Sequence, residues 1–176
     1  MSGKKKSDFR TFRGYQLVNQ QEGQLTPALE DYLEMIYRLC LENDYARVGK
    51  LSELLNVRPS SASKMIAKLA SLDYIQYDRY EIILLTESGR KKGAYLLRRH
   101  EAVESFLRLI GSENALEETE LIEHSLSPST VSNLTALLEF FQRNDALWNQ
   151  FVVFQGIRKM DPERAPDGLE GTEGEA

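Results

Sequence analysis

Between Thr26 and Thr86 the apolar residues change their spacing once, and that change limits the folds open to the chain. Up to Leu69 they recur every three or four residues, the pattern of a helix with one buried stripe. From Tyr74 to Leu85 they crowd into two short runs rich in Tyr and Ile, the pattern of paired strands. Thr26-Pro27 opens the first helix: Thr caps the free N–H groups, and proline suits the first helical position, where its missing N–H removes nothing. This helix is expected to run to about Glu42, with Leu29, Leu33, Ile36, Tyr37 and Cys40 on one stripe. A short helix follows over Gly49–Asn56, and Val57-Arg58-Pro59 breaks the pattern. A third, from Pro59 to Asp73, carries Ala62, Met65, Ile66 and Leu69 at helical spacing. The strands are expected at Tyr74–Tyr77 and Ile82–Leu85, turning near Asp78–Tyr80.

Three short helices and a hairpin within about 60 residues form the plan of a winged helix-turn-helix, whose third helix enters a major groove of DNA. The residue types agree. Ser60, Ser61 and Ser63 put hydroxyls on the first turns of that helix, and Lys64 and Lys68 lie one turn apart on one face. Hydroxyls can donate or accept, and lysines contact phosphates. Arg47, Lys50 and Arg58 add to a stretch, 47–68, that holds five basic residues against one acidic, Glu53. Arg79 falls at the tip of the expected wing. The bland alternative is a winged helix used for protein contacts, with solvated lysines.

Thr86-Glu87-Ser88 begins a long helix that ends at Gly111, with Gly89 and Gly93 weakening its first turns. Further helices are expected over Ser112–Ser125, from Ser127-Pro128 through Phe141, and from Asn144-Asp145 to about Arg158. Charge divides along the same line. Residues 1–100 carry 17 Lys/Arg against 12 Asp/Glu, and residues 101–176 carry 5 against 15, an asymmetry suited to a polyanion-binding half joined to something else. No apolar run reaches the roughly 18–20 residues needed to span a bilayer, and no apolar stretch follows the basic start, so a cytoplasmic chain is expected, with no membrane partner. The one cysteine, Cys40, excludes an internal disulfide and a cysteine-built metal site.

The two histidines, His100 and His124, keep acidic company. Asp31 and Glu34 are i, i+3 on the first helix, and Glu120, Glu123 and His124 are i, i+3, i+4 on a later one. Three helices thus offer four carboxylates and two imidazoles, a set suited to Mn²⁺ or Fe²⁺ rather than thiolate-loving ions. An acidic solvated face is the alternative. A di-metal carboxylate enzyme is a second functional class, but such bundles use Glu-x-x-His, and Leu97 and Leu121 stand three residues before the histidines. Cys40 lies on an apolar stripe and reads as core, not as a nucleophile. A metal-independent winged-helix regulator is a third possibility.

The segments LTPALEDYLEMIYRL, ARVGKLSELLNVRPSSASKMIAKLASLDYI, LLTESGRKKG, RRHEAVESFLRLIG and ELIEHSLS occur in order from Leu25. Together they resemble the diphtheria-toxin-repressor family of metalloregulators, and within it the manganese-transport-regulator branch, over about Leu25–Phe141. The resemblance implies a dimeric, manganese-responsive regulator that binds operator DNA when metal-loaded and represses metal-uptake genes. It implies two Mn²⁺ per subunit, with Fe²⁺ or other divalent metals as substitutes. The implied ligands are Asp31, Glu34, His100, Glu120, Glu123 and His124. Iron-sensing relatives resemble this chain but have Met where Asp31 stands and Cys where Glu120 stands. The chain departs from the branch at Ser125, where a second histidine often stands, in its long basic arm, and in its apolar last helix and acidic tail.

The expected fold is mainly α: an N-terminal winged helix-turn-helix with a small two-stranded wing, then an α-helical metal-binding and dimerisation domain. The expected divisions are a basic flexible arm (1–24), the DNA-binding domain (25–95), the helical domain (96–158) and an acidic disordered tail (159–176). In the arm, Lys4, Lys5, Lys6, Arg10 and Arg13 are expected to add phosphate contacts. Leu134, Leu137, Leu138, Phe140 and Phe141 offer more apolar surface than a lone helix needs, so a homodimer is expected to cover part of it.

Overall fold

A computed structural model describes residues 25–78 and 82–160. The basic arm, Arg79 at the expected wing tip, and residues 161–176 of the tail lie outside the described residues. The chain divides into two compact units between Glu101 and Ala102.

The first unit begins with α1, Pro27–Asn43. Its start follows the sequence: Thr26 is extended and its hydroxyl accepts from the Leu29 N–H. It stops at Asp44, which adopts φ 66° and donates its N–H to the Cys40 carbonyl. A two-residue strand, β1 (Ala46–Arg47), leads into α2, Val48–Leu54. Asn56, at φ 50°, turns the chain, and α3 runs from Pro59 to Ser71. The strands β2 (Ile75–Tyr77) and β3 (Ile82–Leu85) follow.

The expected hairpin is present, but the sheet has three strands, not two, in the order β1-β3-β2 and antiparallel throughout. Ala46 pairs with Ile83, and Ile83 pairs on its other side with Tyr77. A two-residue strand leaves no periodicity to read, which is why β1 was invisible in the sequence. The stripes of α1 and α3 meet this sheet: Leu33, Ile36, Leu51, Ile66, Leu69 and Ile83 are fully buried in one core.

Helix α4, Glu87–Leu109, passes unbroken through the division between units. Thr86 caps it, accepting from the Gly89 N–H at 3.0 Å. The two early glycines, expected to weaken the first turns, also sit where a side chain would not fit. A Cβ at Gly89 would run into the Tyr74 carbonyl, and one at Gly93 would lie 2.7 Å from the Tyr37 Cβ. Both let α4 approach its neighbours closely.

The second unit contains the end of α4, then α5 (Ala115–Ile122), a 3₁₀ turn (Glu123–Ser125), α6 (Pro128–Gln142) and α7 (Asp145–Met160). The helix expected over Ser112–Ser125 is therefore shorter. Ser112 and Asn114 form a turn, with the Asn114 N–H donating to the Ser112 hydroxyl. At the other end Ser127 must be extended before Pro128, so the chain tightens to 3₁₀ and leaves the helix. The last helix runs two residues beyond the expected Arg158. Val103, Leu107 and Ala115 form a small core, with Phe106, Leu126 and Leu134 against it. Phe141 packs on Phe140, Trp148 and Phe151 and so joins α6 to α7. No described helix is long and apolar enough to cross a membrane.

Candidate metal ligands and nucleic-acid interface

The first unit supplies three of the expected ligands. Asp31 and Glu34 stand one turn apart on α1; Asp31 is half-buried and Glu34 is buried. His100 is buried on α4, with Nδ1 4.0 Å from the Glu34 Oε1. A carboxylate and an imidazole at that distance, both withdrawn from water, leave room for a cation to bind both. Arg38, one turn beyond Glu34, donates through Nε and a terminal nitrogen to the same Oε1, at 3.0 and 2.7 Å.

The second unit supplies the other three. Glu123 is 2% exposed and His124 half-buried, both on the 3₁₀ turn, with 3.7 Å between Glu123 Oε1 and His124 Nε2. Glu120 is exposed on α5. The i, i+3, i+4 spacing implies one regular helical face. The 3₁₀ turn instead places Glu123 and His124 beyond the end of α5, while Glu120 remains on it.

The donor chemistry fits a hard divalent cation. All six candidate donors are carboxylates or imidazoles, and no sulfur is among them. Burial of Glu34, His100 and Glu123 argues against a merely solvated acidic face, because ionisable groups are seldom buried unless paired or ligating.

A further buried charged group lies on α1 and α4. Glu30 on α1 is buried, and its two oxygens receive Arg99 at 2.7 Å and Lys92 at 3.0 Å. The pair of Glu34 and Arg38 is local, at i, i+4 on α1. The contact between Glu30 and Arg99 joins residues 69 positions apart and left no local signal. Tyr95 borders this group. Its phenol is raised above the usual value, chiefly by burial, with Arg99 lowering it and Glu30 raising it.

The surface expected to read DNA lies on α3. Ala62, Ile66 and Leu69 are buried, so Ser60, Ser61, Ser63, Lys64 and Lys68 fall on the exposed side. Ser63 donates its hydroxyl to the Pro59 carbonyl at 2.9 Å, which leaves its oxygen to accept outward. Arg58 is the N-terminal flanking residue of α3, and its carbonyl accepts the Ser61 and Ala62 N–H groups. Lys50 is exposed and paired with Glu53 at 3.1 Å. Arg47 is exposed and lies over the Tyr45 ring, 5.3 Å from its centre. An exposed ion pair of this kind is weak enough for a phosphate to displace the acidic partner.

Comparison with known proteins adds the following. A family model described as the iron dependent repressor, N-terminal DNA binding domain, matches residues 24–82. A second, the iron dependent repressor, metal binding and dimerisation domain, matches residues 86–146. The HTH-type transcriptional regulator MntR of Geobacillus kaustophilus (strain HTA426) is 45% identical over 122 residues, which is 68% of this chain and 86% of that one. The regulator of the same name from Bacillus subtilis (strain 168) is 43% identical over 123 residues, 69% of this chain and 87% of that one. The solved structure of the manganese regulator SloR has a TM-score of 0.56 and 30% identity, over 66% of this chain and 55% of that one. The chain thus spans little more than half the length of that structure.

Proposed function

The chain belongs to the iron dependent repressor family, and from that premise we propose that it is a dimeric, manganese-responsive regulator that binds operator DNA when metal-loaded and represses metal-uptake genes. The family is one of transcriptional repressors, so the di-metal enzyme reading is set aside. The observation that carries the manganese reading is the all-oxygen-and-nitrogen donor set. Asp31, Glu34, His100, Glu120, Glu123 and His124 are the residues that would hold the metal. Four carboxylates would bring two divalent ions near neutrality, which supports two Mn²⁺ per subunit. Hard carboxylate donors favour Mn²⁺ over sulfur-seeking ions.

Metal, when bound, supplies positive charge that lets like-charged carboxylates converge. The chain's own residues do the rest. Asp31, Glu34 and His100 belong to the unit that carries α3. Glu120, Glu123 and His124 belong to the unit within which the dimerisation domain ends. One ligand set on each unit makes the state of the reading surface depend on the state of the dimer. Lys64, Lys68, Arg47, Lys50 and Arg58 contribute charge to phosphates, and Ser60, Ser61 and Ser63 present small polar groups to base edges. A two-fold dimer suits a palindromic operator with half-sites about 10 base pairs, or a multiple, apart.

The test begins with duplexes enriched from a random pool by the Mn²⁺-loaded protein. The enriched duplex is then titrated with protein in Mn²⁺, Fe²⁺, Zn²⁺ or chelator at one fixed salt concentration, since phosphate contacts make affinity salt-dependent. The proposal expects binding with Mn²⁺ and loss of binding with chelator. Equal binding in chelator contradicts it and favours a metal-independent regulator.

A further inference from the structure

We propose that Glu30, held by Arg99 and Lys92, is a positioning group that sets α1 against α4 and so holds Glu34 and His100 at ligand distance before any cation arrives. The inference rests on the metal-binding reading above and adds residues to it that do not themselves ligate.

Burial is the first observation. Glu30 is 8% exposed and Arg99 3% exposed. Charged groups in such positions are costly unless paired, and a buried pair is a poor source of stability compared with an apolar one. A pair placed there is better suited to fixing geometry than to adding stability. The second observation is the contact itself. Arg99 reaches one Glu30 oxygen at 2.7 Å and Lys92 reaches the other at 3.0 Å, so the carboxylate is fixed at both ends.

The third is placement. Glu30 precedes Asp31 in the chain, and Arg99 precedes His100. Glu30 and Glu34 are one helical turn apart on α1. Lys92, Arg99 and His100 lie at i, i+7 and i+8 on α4, on the side that meets α1. Fixing Glu30 to Arg99 therefore fixes the backbone next to a ligand on each helix. The close approach of Gly93 to Tyr37 and the full burial of Leu96 make the contact between these helices tight, so a shift at the pair is carried to the ligands rather than absorbed. Charge points the same way. Two cations around Glu30 leave a local positive excess beside Asp31 and Glu34, which eases their juxtaposition when no metal is bound.

The test uses the full-length chain. Glu30→Gln removes the charge at constant volume, Glu30→Asp keeps the charge and withdraws it by one methylene, and Arg99→Lys replaces the planar fork by a single ammonium. Mn²⁺ affinity is read by electron paramagnetic resonance. The imidazole NMR signals are read in metal-free protein, where the chain's two histidines give two sets to assign. Urea unfolding is read alongside. Residues that orient metal ligands typically change affinity about 10–100-fold when altered, and the expected loss for each variant lies in that range. The metal-free His100 signal should shift or broaden while that of His124 stays in place. If Glu30→Gln does not fold, Glu30→Asp and Arg99→Lys decide. Mn²⁺ affinity and a His100 signal both unchanged in a folded variant would overturn the proposal, as would an affinity loss no greater than the loss of folded protein accounts for. Should the unaltered chain take up no Mn²⁺ at all, the functional reading fails instead, and the metal-free His100 signal still decides whether the pair positions that side chain.

Discussion

The two units differ in how far each satisfies itself. Sixteen buried apolar residues form the core of the first, from Leu29 to Leu96, drawn from helices and sheet alike. The described part of the second buries three in its core and leaves Leu121, Leu137, Phe140, Trp148, Val153 and Phe154 exposed, Val153 at 62%. The first is a reading module that its own residues can hold together. Large exposed apolar surface is typical of interfaces, and Leu121, Leu137 and Phe140 fall within the residues that match the family's dimerisation domain. The apolar surface expected on α6 is present: Leu137 and Phe140 are exposed, and Leu134, Leu138 and Phe141 half-buried.

The largest effect is expected in the first core. Leu33→Ala removes a fully buried side chain and should cost about 2–5 kcal/mol, read as a lower urea midpoint. A loss below about 1 kcal/mol would mean that the first unit is not the well-packed one.

On the second unit, Leu137→Asp combined with Phe140→Asp should weaken the dimer by at least about 2 kcal/mol, roughly 30-fold, in sedimentation equilibrium. The circular dichroism of the monomer should stay helical. A dimer constant unchanged by both charges would remove α6 from the interface.

Smaller effects sharpen the picture. Lys64→Ala should weaken binding to all duplexes by a similar factor and lower the salt slope by about one, whereas a sequence-dependent loss would make Lys64 a base reader. Alkaline pH should act on the first unit. Burial raises the Cys40 thiol and the Tyr32 and Tyr95 phenols above their ordinary values. Groups raised in the folded state hold their protons more tightly there. Their contribution is complete below the unfolded values and is lost as pH rises through the folded ones. The urea midpoint should therefore fall between pH 8 and the upper end of the alkaline range, and Cys40→Ala should lessen that fall. A midpoint flat with pH would show that these groups are hydrated.

What the sequence disclosed follows a physical rule. Features set by a few neighbouring residues were legible: the cap at Thr26, the stripe of Leu33 and Ile36, the break at Val57-Arg58-Pro59, the wing strands and the helix start at Ser127-Pro128. Features set by distant partners were not. Strand β1 exists because Ala46 and Arg47 find β3, and the pair of Glu30 and Arg99 exists because α4 returns to α1. Gly89 and Gly93 looked like weaknesses because their value lies in what they touch. The carboxylates and imidazoles of the candidate set could be named from sequence, but the 3₁₀ turn under Glu123 and His124 follows from the extended entry into Ser127-Pro128, which helical spacing does not encode.

With one proposed ligand set on each unit, metal and DNA binding should depend on each other. The most direct test is to titrate Mn²⁺ into the protein alone and into the protein saturated with its enriched duplex, at one salt concentration. Linkage requires the duplex to tighten Mn²⁺ by the same factor by which Mn²⁺ tightens the duplex, in the range of about 5–150-fold for a typical coupling. Equal factors in that range are the predicted result; an Mn²⁺ affinity indifferent to DNA would contradict the account.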